Sequence, residues 1–152
     1  MRLSVAKKIA TLLASLVLTG LATDRVSTAQ LPLPNPVLVF TGQEFFQSSG
    51  KQRIRYRFTV DNSSAYPNEL FAAAPDLPPC GSNTKASRTW VDLYDQGGKR
   101  LYGFCAFGSS NDLSQMWFAL DADVIPPSWI YIELTDRKTN TKYKSNLAET
   151  TM

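Results

Sequence analysis

The segment from Lys51 to Asp61 alternates polar and apolar residues more clearly than any other part of the chain. Successive side chains of a β-strand point to opposite faces of a sheet, so this pattern predicts a strand with one apolar and one solvated face. The apolar positions are Ile54, Tyr56, Phe58 and Val60, and the polar positions are Arg53, Arg55, Arg57, Thr59 and Asp61. A chain that contains such a strand must cover its apolar side with other elements.

Shorter segments with the same period follow along the chain. Further strands are predicted at 37–40 (continuing through 45–46 beyond a Thr41-Gly42 break typical of a bulge), 89–94, 100–107, 114–120, 129–136 and 142–145. Turn signals separate them, and no window after residue 30 has the apolar spacing of a three-turn amphipathic helix. Seven short strands predict an all-β fold, a seven-stranded antiparallel β-sandwich.

Residues 124–134 carry a resemblance to a known group of domains. The run Val-Ile-Pro-Pro-Ser-Trp-Ile-Tyr-Ile-Glu-Leu is similar to the apolar-x-Pro turn that leads into the sixth strand of fibronectin type III domains. In that family a corner tyrosine stands four residues after the proline, where this chain has Ile130 and then Tyr131. Over residues 36–146 the resemblance implies a fibronectin type III-like or immunoglobulin-like sandwich. Such folds host many unrelated functions, so the resemblance implies only that binding is favoured over catalysis.

Residues 1–29 have the layout of a secretory signal peptide. Three cations precede an apolar run of 13 residues, Ile9 to Leu21, and Ser27-Thr28-Ala29 fits a small-x-small cleavage site. A membrane-spanning helix needs about 20 apolar residues. The predicted organisation is a signal peptide (1–29), an extended Pro-rich lead-in (30–36), a β-sandwich domain (37–146) and a C-terminal tail (147–152). The chain is expected to be secreted or periplasmic, with no integral membrane segment after cleavage; an uncleaved anchor is the alternative.

The net charge of +3 comes from the predicted signal peptide. The whole chain has 16 Lys+Arg and 13 Asp+Glu, and residues 1–29 hold four and one of these, which leaves twelve of each. A neutral domain lacks the positive field that nucleic acid requires, so nucleic acid is disfavoured as a partner. The stripe Lys51, Arg53, Arg55 and Arg57 could bind anions. The favoured interpretation is a solvated strand face matched by acids on its neighbour.

The chain has two cysteines, Cys80 and Cys105, separated by 25 positions. Cysteines of exported proteins usually pair, so a disulfide is predicted. A zinc site is a poorer interpretation, because two Cys without any His cannot complete four ligands unless carboxylates join them. The bond would tether the Pro- and Ser-rich segment 62–87, which is too long for an unstructured connection in a compact domain.

The sequence offers no catalytic set and predicts no cofactor or metal. The chain lacks histidine, which excludes Ser-His and Cys-His pairs. Asp112, Asp121 and Asp123 could hold calcium, but solubilising turn residues are the favoured interpretation. A small hydrolase with an unrecognised carboxylate pair stays an alternative.

Six aromatic side chains are the predicted binding residues. If the residues between them point inward, they lie on outer faces of three strands: Trp90, Tyr94, Tyr102, Phe104, Trp129 and Tyr131. The predicted function is an exported, non-enzymatic binding module that contacts a protein or extracellular polymer through this face and the 62–87 loop. A carbohydrate-binding module using Trp90, Tyr94 and Trp129 is the alternative. Asn62-Ser63-Ser64 spells a glycosylation acceptor.

Overall fold

The computed structural model of the chain describes residues 32–151. The predicted signal peptide lies outside these residues. The described chain is mostly β, and its helical turns are three short 3₁₀ segments at Ser63–Ala65, Asn68–Leu70 and Ser110–Ser114. Within residues 32–151 there is no helix with the length and apolar character needed to cross a bilayer.

The described residues form eight strands, one more than predicted. The strands are β1 (Leu38–Ser48), β2 (Lys51–Val60), β3 (Thr89–Asp95), β4 (Arg100–Phe104), β5 (Met116–Asp121), β6 (Trp129–Asp136), β7 (Thr141–Lys144) and β8 (Ala148–Glu149). The additional strand β8 lies in the predicted C-terminal tail. It pairs with the beginning of β6, beyond the point where the partners of β7 end.

Two antiparallel sheets contain all eight strands. The smaller sheet has the order β1-β2-β5, and the larger has the order β4-β3-β6-β7, with β8 also paired to β6. The strand β6 is therefore central, because it pairs with β3 on one side and with β7 and β8 on the other. This arrangement is compatible with a β-sandwich.

Both sheets contribute to one hydrophobic core, as the alternation predicts. From the smaller sheet, Tyr56, Phe58 and Val60 are at most 3% exposed, and every second residue between them faces away. From the larger sheet come the inward residues Val91, Leu93, Ile130, Ile132 and Leu134, each at most 2% exposed. The inward side predicted for β3 and β6 is therefore confirmed.

The predicted break at Thr41-Gly42 is a β-bulge within one continuous strand. The pairing of β1 with β2 shifts between Phe40, which faces Phe58, and Gly42, which faces Arg57. Gly42 has φ +139, a conformation that side chains with a Cβ rarely adopt. Glycine thus allows the strand to absorb the extra residue Thr41.

The long segment between β2 and β3 is a structured part of the domain. Tyr66 and Phe71 are buried in the core cluster, and the peptide groups of Ala74 and Ala86 hydrogen-bond at 3.0 Å. Cys80 and Cys105 form the predicted disulfide, with Cα atoms 6.3 Å apart. The bond fastens the outer part of this loop to the residue that follows β4.

Candidate functional site

Four of the six predicted binding residues share the outer face of the larger sheet. Trp90 and Tyr94 lie on β3, and Trp129 and Tyr131 lie on β6, each next to a buried inward-facing residue. Tyr94 stands directly opposite Tyr131 in the pairing of the two strands. The structure therefore brings these four side chains onto one surface.

The outer-face prediction is wrong for Tyr102 and Phe104. These residues stand opposite Leu93 and Val91, which point into the core, so they lie on the inner side of the sheet. The pairing of β3 with β4 shifts after Leu93, and this irregularity reverses the alternation that the sequence suggests. Phe104 packs against the core, whereas Tyr102 is 50% exposed at the sheet edge.

The ring of Tyr131 is flanked from both sides. Tyr94 stacks on it from β3, with ring centroids 5.1 Å apart and planes at 13°. From β7, the ammonium nitrogen of Lys144 lies 4.0 Å from the centroid of the same ring. Because β6 lies between β3 and β7, the two neighbours approach opposite faces. A sugar ring stacks on an open aromatic face, and Tyr131 offers none.

Arg137 joins the aromatic face to the long loop. Its guanidinium lies 4.1 Å from the ring centroid of Trp90, and it donates hydrogen bonds to the carbonyls of Ser87 and Pro78. The indole Nε1 of Trp90 is buried and has no hydrogen-bond partner within the described residues. The two parts of the predicted contact surface, the outer face and the 62–87 loop, therefore meet at this cation.

Two ion pairs lie on the same face. Arg100 Nε lies 2.7 Å from Asp92 Oδ1, and Lys142 Nζ lies 2.7 Å from Glu133 Oε1. Trp129, at the start of β6, is 38% exposed. The surface is thus a row of rings beside two ion pairs, and the cations Lys144 and Arg137 lie over its rings.

On the outer face of the smaller sheet, acidic side chains of the neighbouring strands pair with the cationic stripe. This is the arrangement that the favoured interpretation of the sequence predicts. Glu44 on β1 accepts hydrogen bonds from Arg55 at 2.6 Å and Arg57 at 2.7 Å. Asp121 on β5 lies 3.0 Å from Arg53 and 3.8 Å from Lys51. The hydrogen bond from Arg57, followed by the charges of both arginines, lowers the pKa of Glu44 despite an opposing desolvation effect.

An aromatic residue that sequence reasoning missed lies beside this stripe. Trp117 on β5 is 45% exposed, and the Arg55 guanidinium lies 4.5 Å from its ring centroid and 4.8 Å from that of Phe46. An open cleft of about 330 Å³ borders Trp117, Arg55 and Arg57. The sequence feature that could have indicated this cleft is Trp117, a large ring between the apolar residues Met116 and Phe118, which face the core.

Two of the three acidic residues considered for calcium, Asp112 and Asp121, have other partners. Asp112 Oδ2 accepts hydrogen bonds from the peptide nitrogens of Gly108 at 2.6 Å and Ser109 at 3.1 Å, and Asp121 is ion-paired. Within residues 32–151 no three His, Cys, Asp or Glu side chains come together in a geometry that could hold a metal ion. Hydrogen bonds from arginines lower the pKa of the Glu44 and Asp136 carboxyl groups, and this is the opposite of what a general acid needs.

The side chain of the glycosylation acceptor Asn62 has a structural role. Its Oδ1 accepts a hydrogen bond from the peptide nitrogen of Val37 at 2.8 Å, and its Nδ2 donates to the carbonyl of Asn35 at 2.9 Å. Tyr66 adds a hydrogen bond to the carbonyl of Pro34 at 2.6 Å. These bonds fasten residues 34–37 to the domain, and a glycan on Nδ2 would compete with one of them.

Comparison of the chain with family models, curated proteins and solved structures finds no match in any of the three.

Proposed function

We propose that this protein is an exported, non-enzymatic binding module with an immunoglobulin-like or fibronectin type III-like sandwich fold. If the edge strand β4 is called C′ and the other strands take the letters A, B, C, E, F and G in chain order up to β7, the sheets become A-B-E and C′-C-F-G. Immunoglobulin-like domains also place A, B and E in one sheet and C, F and G in the other. They differ in the fourth strand, which joins the A-B-E sheet in constant-type domains and the larger sheet in this chain. The disulfide and the signal-like N-terminus support export to an oxidising compartment.

The proposed partner is a protein, and the outer face of the larger sheet is the proposed contact surface. The observation that carries this proposal is the ordered row in which Tyr94, Tyr131 and Lys144 stack beside the partly exposed Trp129. Tyrosine, tryptophan and arginine are enriched among the residues that dominate protein–protein binding. Rings that are already held by neighbours lose little conformational entropy when a partner covers them.

The same contacts argue against a sugar at this face. Both faces of the Tyr131 ring are covered, and one face of Trp90 carries the guanidinium of Arg137. Protein partners can use ring edges, the peptide groups of the adjoining loop and the apolar stems of long side chains. The geometry therefore favours a protein over a polysaccharide as the partner of this surface.

Cross-linking in the source organism tests the proposal. The affinity-tagged chain should recover a specific exported protein, and recovery should fall at least tenfold with Trp129→Ala, because central aromatic anchors commonly contribute 2 kcal/mol or more. Phe45→Ala, at an exposed ring on the smaller sheet outside the cleft, should leave recovery unchanged. Circular dichroism checks that both variants fold. Equal recovery by wild type and Trp129→Ala would contradict the proposed surface.

A glycan array separates the carbohydrate alternative. The proposal expects no binding that depends on Trp90 or Trp129, since Tyr131 beside them offers no stacking face and Arg137 occupies one face of Trp90. A signal that disappears in both Trp90→Ala and Trp129→Ala would instead support a carbohydrate-binding module.

A further inference from the structure

The cleft on the smaller sheet lies at the start of β5, on the side of the molecule opposite the proposed contact surface. Its polar lining comes from three elements: Thr41 at the bulge of β1, Arg55 and Arg57 on β2, and Ser114 and Gln115 just before β5. Trp117, directly opposite Arg57 in the strand pairing, borders it on β5. Since β1 and β5 flank β2, the two sides stand two strand spacings apart, roughly 10 Å.

Arg57 is the available cation of this cleft. Its side chain is 53% exposed, and its one side-chain hydrogen bond uses Nη2, which donates to Glu44 at 2.7 Å. The guanidinium carries five N–H donors, so the remaining ones face the cleft or solvent. Arg55 and Arg57 share the single carboxylate of Glu44, which leaves a local excess of one positive charge.

The other lining groups are a flat ring and neutral polar side chains. Arg55 lies over one face of the Trp117 indole, while 45% of this residue stays exposed. Thr41, Ser114 and Gln115 supply two hydroxyls and one carboxamide. Ser114 Oγ donates to the carbonyl of Asn111 at 2.7 Å, so it has lone pairs left to accept hydrogen bonds. The lining thus combines an indole, a cation and neutral hydrogen-bonding groups.

We infer that this cleft binds an anionic sugar residue, with Arg57 on its carboxylate or sulfate and Trp117 against its ring. A guanidinium pairs with planar anionic groups through charge-assisted hydrogen bonds. An indole packs against the C–H face of a sugar, and hydroxyls and amides match the sugar hydroxyls. The unshared donors of Arg57, next to an indole residue that stays 45% exposed, distinguish this cleft from the outer face of the larger sheet, where both faces of the Tyr131 ring are covered.

Calorimetric titration of the purified protein with three oligosaccharides tests the inference: oligogalacturonate (carboxylates), heparin-derived oligosaccharide (sulfates) and cello-oligosaccharide (neutral). At least one anionic oligosaccharide should bind with a Kd below about 1 mM, and the neutral one should not. Arg57→Gln should weaken binding roughly 10- to 100-fold, the range for losing a charged hydrogen bond. Which anionic probe binds identifies the acidic group.

The controls use matched positions. Arg53→Gln changes a cation of the same stripe that pairs with Asp121 and lies outside the cleft, so it should leave affinity unchanged. Trp117→Ala should abolish binding and the change in tryptophan fluorescence that accompanies it. Gln115→Ala, a milder change in the lining, should weaken binding. The inference is overturned if neither anionic oligosaccharide binds, if Arg53→Gln and Arg57→Gln lose affinity equally, or if polyglutamate binds as tightly as the glycans. Because these variants lie on the opposite sheet from Trp129, either proposal can fail without the other.

Discussion

The carboxamide of Asn146 pairs with both main-chain polar groups of Leu38. Its Oδ1 accepts a hydrogen bond from the Leu38 nitrogen at 2.8 Å, and its Nδ2 donates to the Leu38 carbonyl at 3.0 Å. The two residues are 108 positions apart, Leu38 at the start of β1 and Asn146 between β7 and β8. One side chain thus links an edge of the smaller sheet to the last strands of the larger sheet.

Replacing Asn146 by alanine should lower the free energy of unfolding by about 2–3 kcal/mol. Two hydrogen bonds contribute roughly 1 kcal/mol each, and the Leu38 peptide groups would lose their partners in a partly buried place. Asn146→Asp should also destabilise, because it keeps the acceptor but removes the donor. Urea unfolding measures the change. Asn111→Ala, at an exposed asparagine, is the control and should stay within about 0.5 kcal/mol of wild type.

Reducing the Cys80–Cys105 disulfide should lower the free energy of unfolding by about 3.5 kcal/mol. The bond joins residues 25 positions apart, and closing a loop of that length removes entropy from the unfolded chain. Urea unfolding with and without dithiothreitol measures the difference. A Cys80→Ser, Cys105→Ser double variant should have the same free energy of unfolding as the reduced protein. Adding dithiothreitol should not change the stability of this variant. A reductant effect on that variant would show a different cause.

Stability should decrease in acid through Asp136. Its carboxylate accepts hydrogen bonds from Arg88 Nε and Nη2 at 2.8 and 2.6 Å, and from Thr139 and the Lys138 nitrogen. The Arg88 hydrogen bonds lower the Asp136 pKa most, against desolvation. A lowered folded-state pKa means that the stabilisation is complete above the unfolded value of about 4 and disappears as pH falls through the folded value.

Asp136→Asn tests this dependence directly. At pH 7 it should cost about 3 kcal/mol, because Arg88 would lose its ionic partner at a mostly buried site. The difference between variant and wild type should shrink as the pH approaches 3. Asp123→Asn, at an exposed position, is the matched control. A cost that stays constant from pH 7 to pH 3 would contradict the assignment.

Gly103→Ala should cost less than about 1 kcal/mol. A Cβ at this position would overlap the Arg100 guanidinium and lie 2.8 Å from Asp92 Oδ1, so the ion pair must move. The Arg100 side chain is 59% exposed and can swing into solvent, and exposed pairs contribute little. In an Arg100→Ala background the same change should cost less, because only the Asp92 side chain still has to move. Chemical denaturation of the four proteins of this cycle gives the coupling.

Local alternation was enough to predict most of the strands. The predicted segments 51–61, 89–94 and 129–136 correspond to β2, β3 and β6. These features depend on neighbouring residues: side-chain period, turn residues and the glycine at the bulge. Four of the six predicted aromatic residues were placed on the correct face for the same reason.

The remaining features depend on pairing between distant segments. Tyr102 and Phe104 face inward because of an irregularity in the β3–β4 pairing, which periodicity within β4 does not reveal. The strand β8 is two residues long, too short for a periodic signal. The cleft requires Thr41, Arg57 and Gln115 to meet across three elements, and this follows only from the order β1-β2-β5.

The central position of β6 has a consequence for biogenesis. While the ribosome is still producing the first 128 residues, β3 has only β4 as a neighbour, and the apolar sides of both lack the strand that completes their sheet. The larger sheet can therefore be completed only after β6 has been made, since β3 and β7 are joined through it. If the protein is exported as proposed, a pathway that threads extended polypeptide during synthesis receives a chain whose larger sheet is still incomplete.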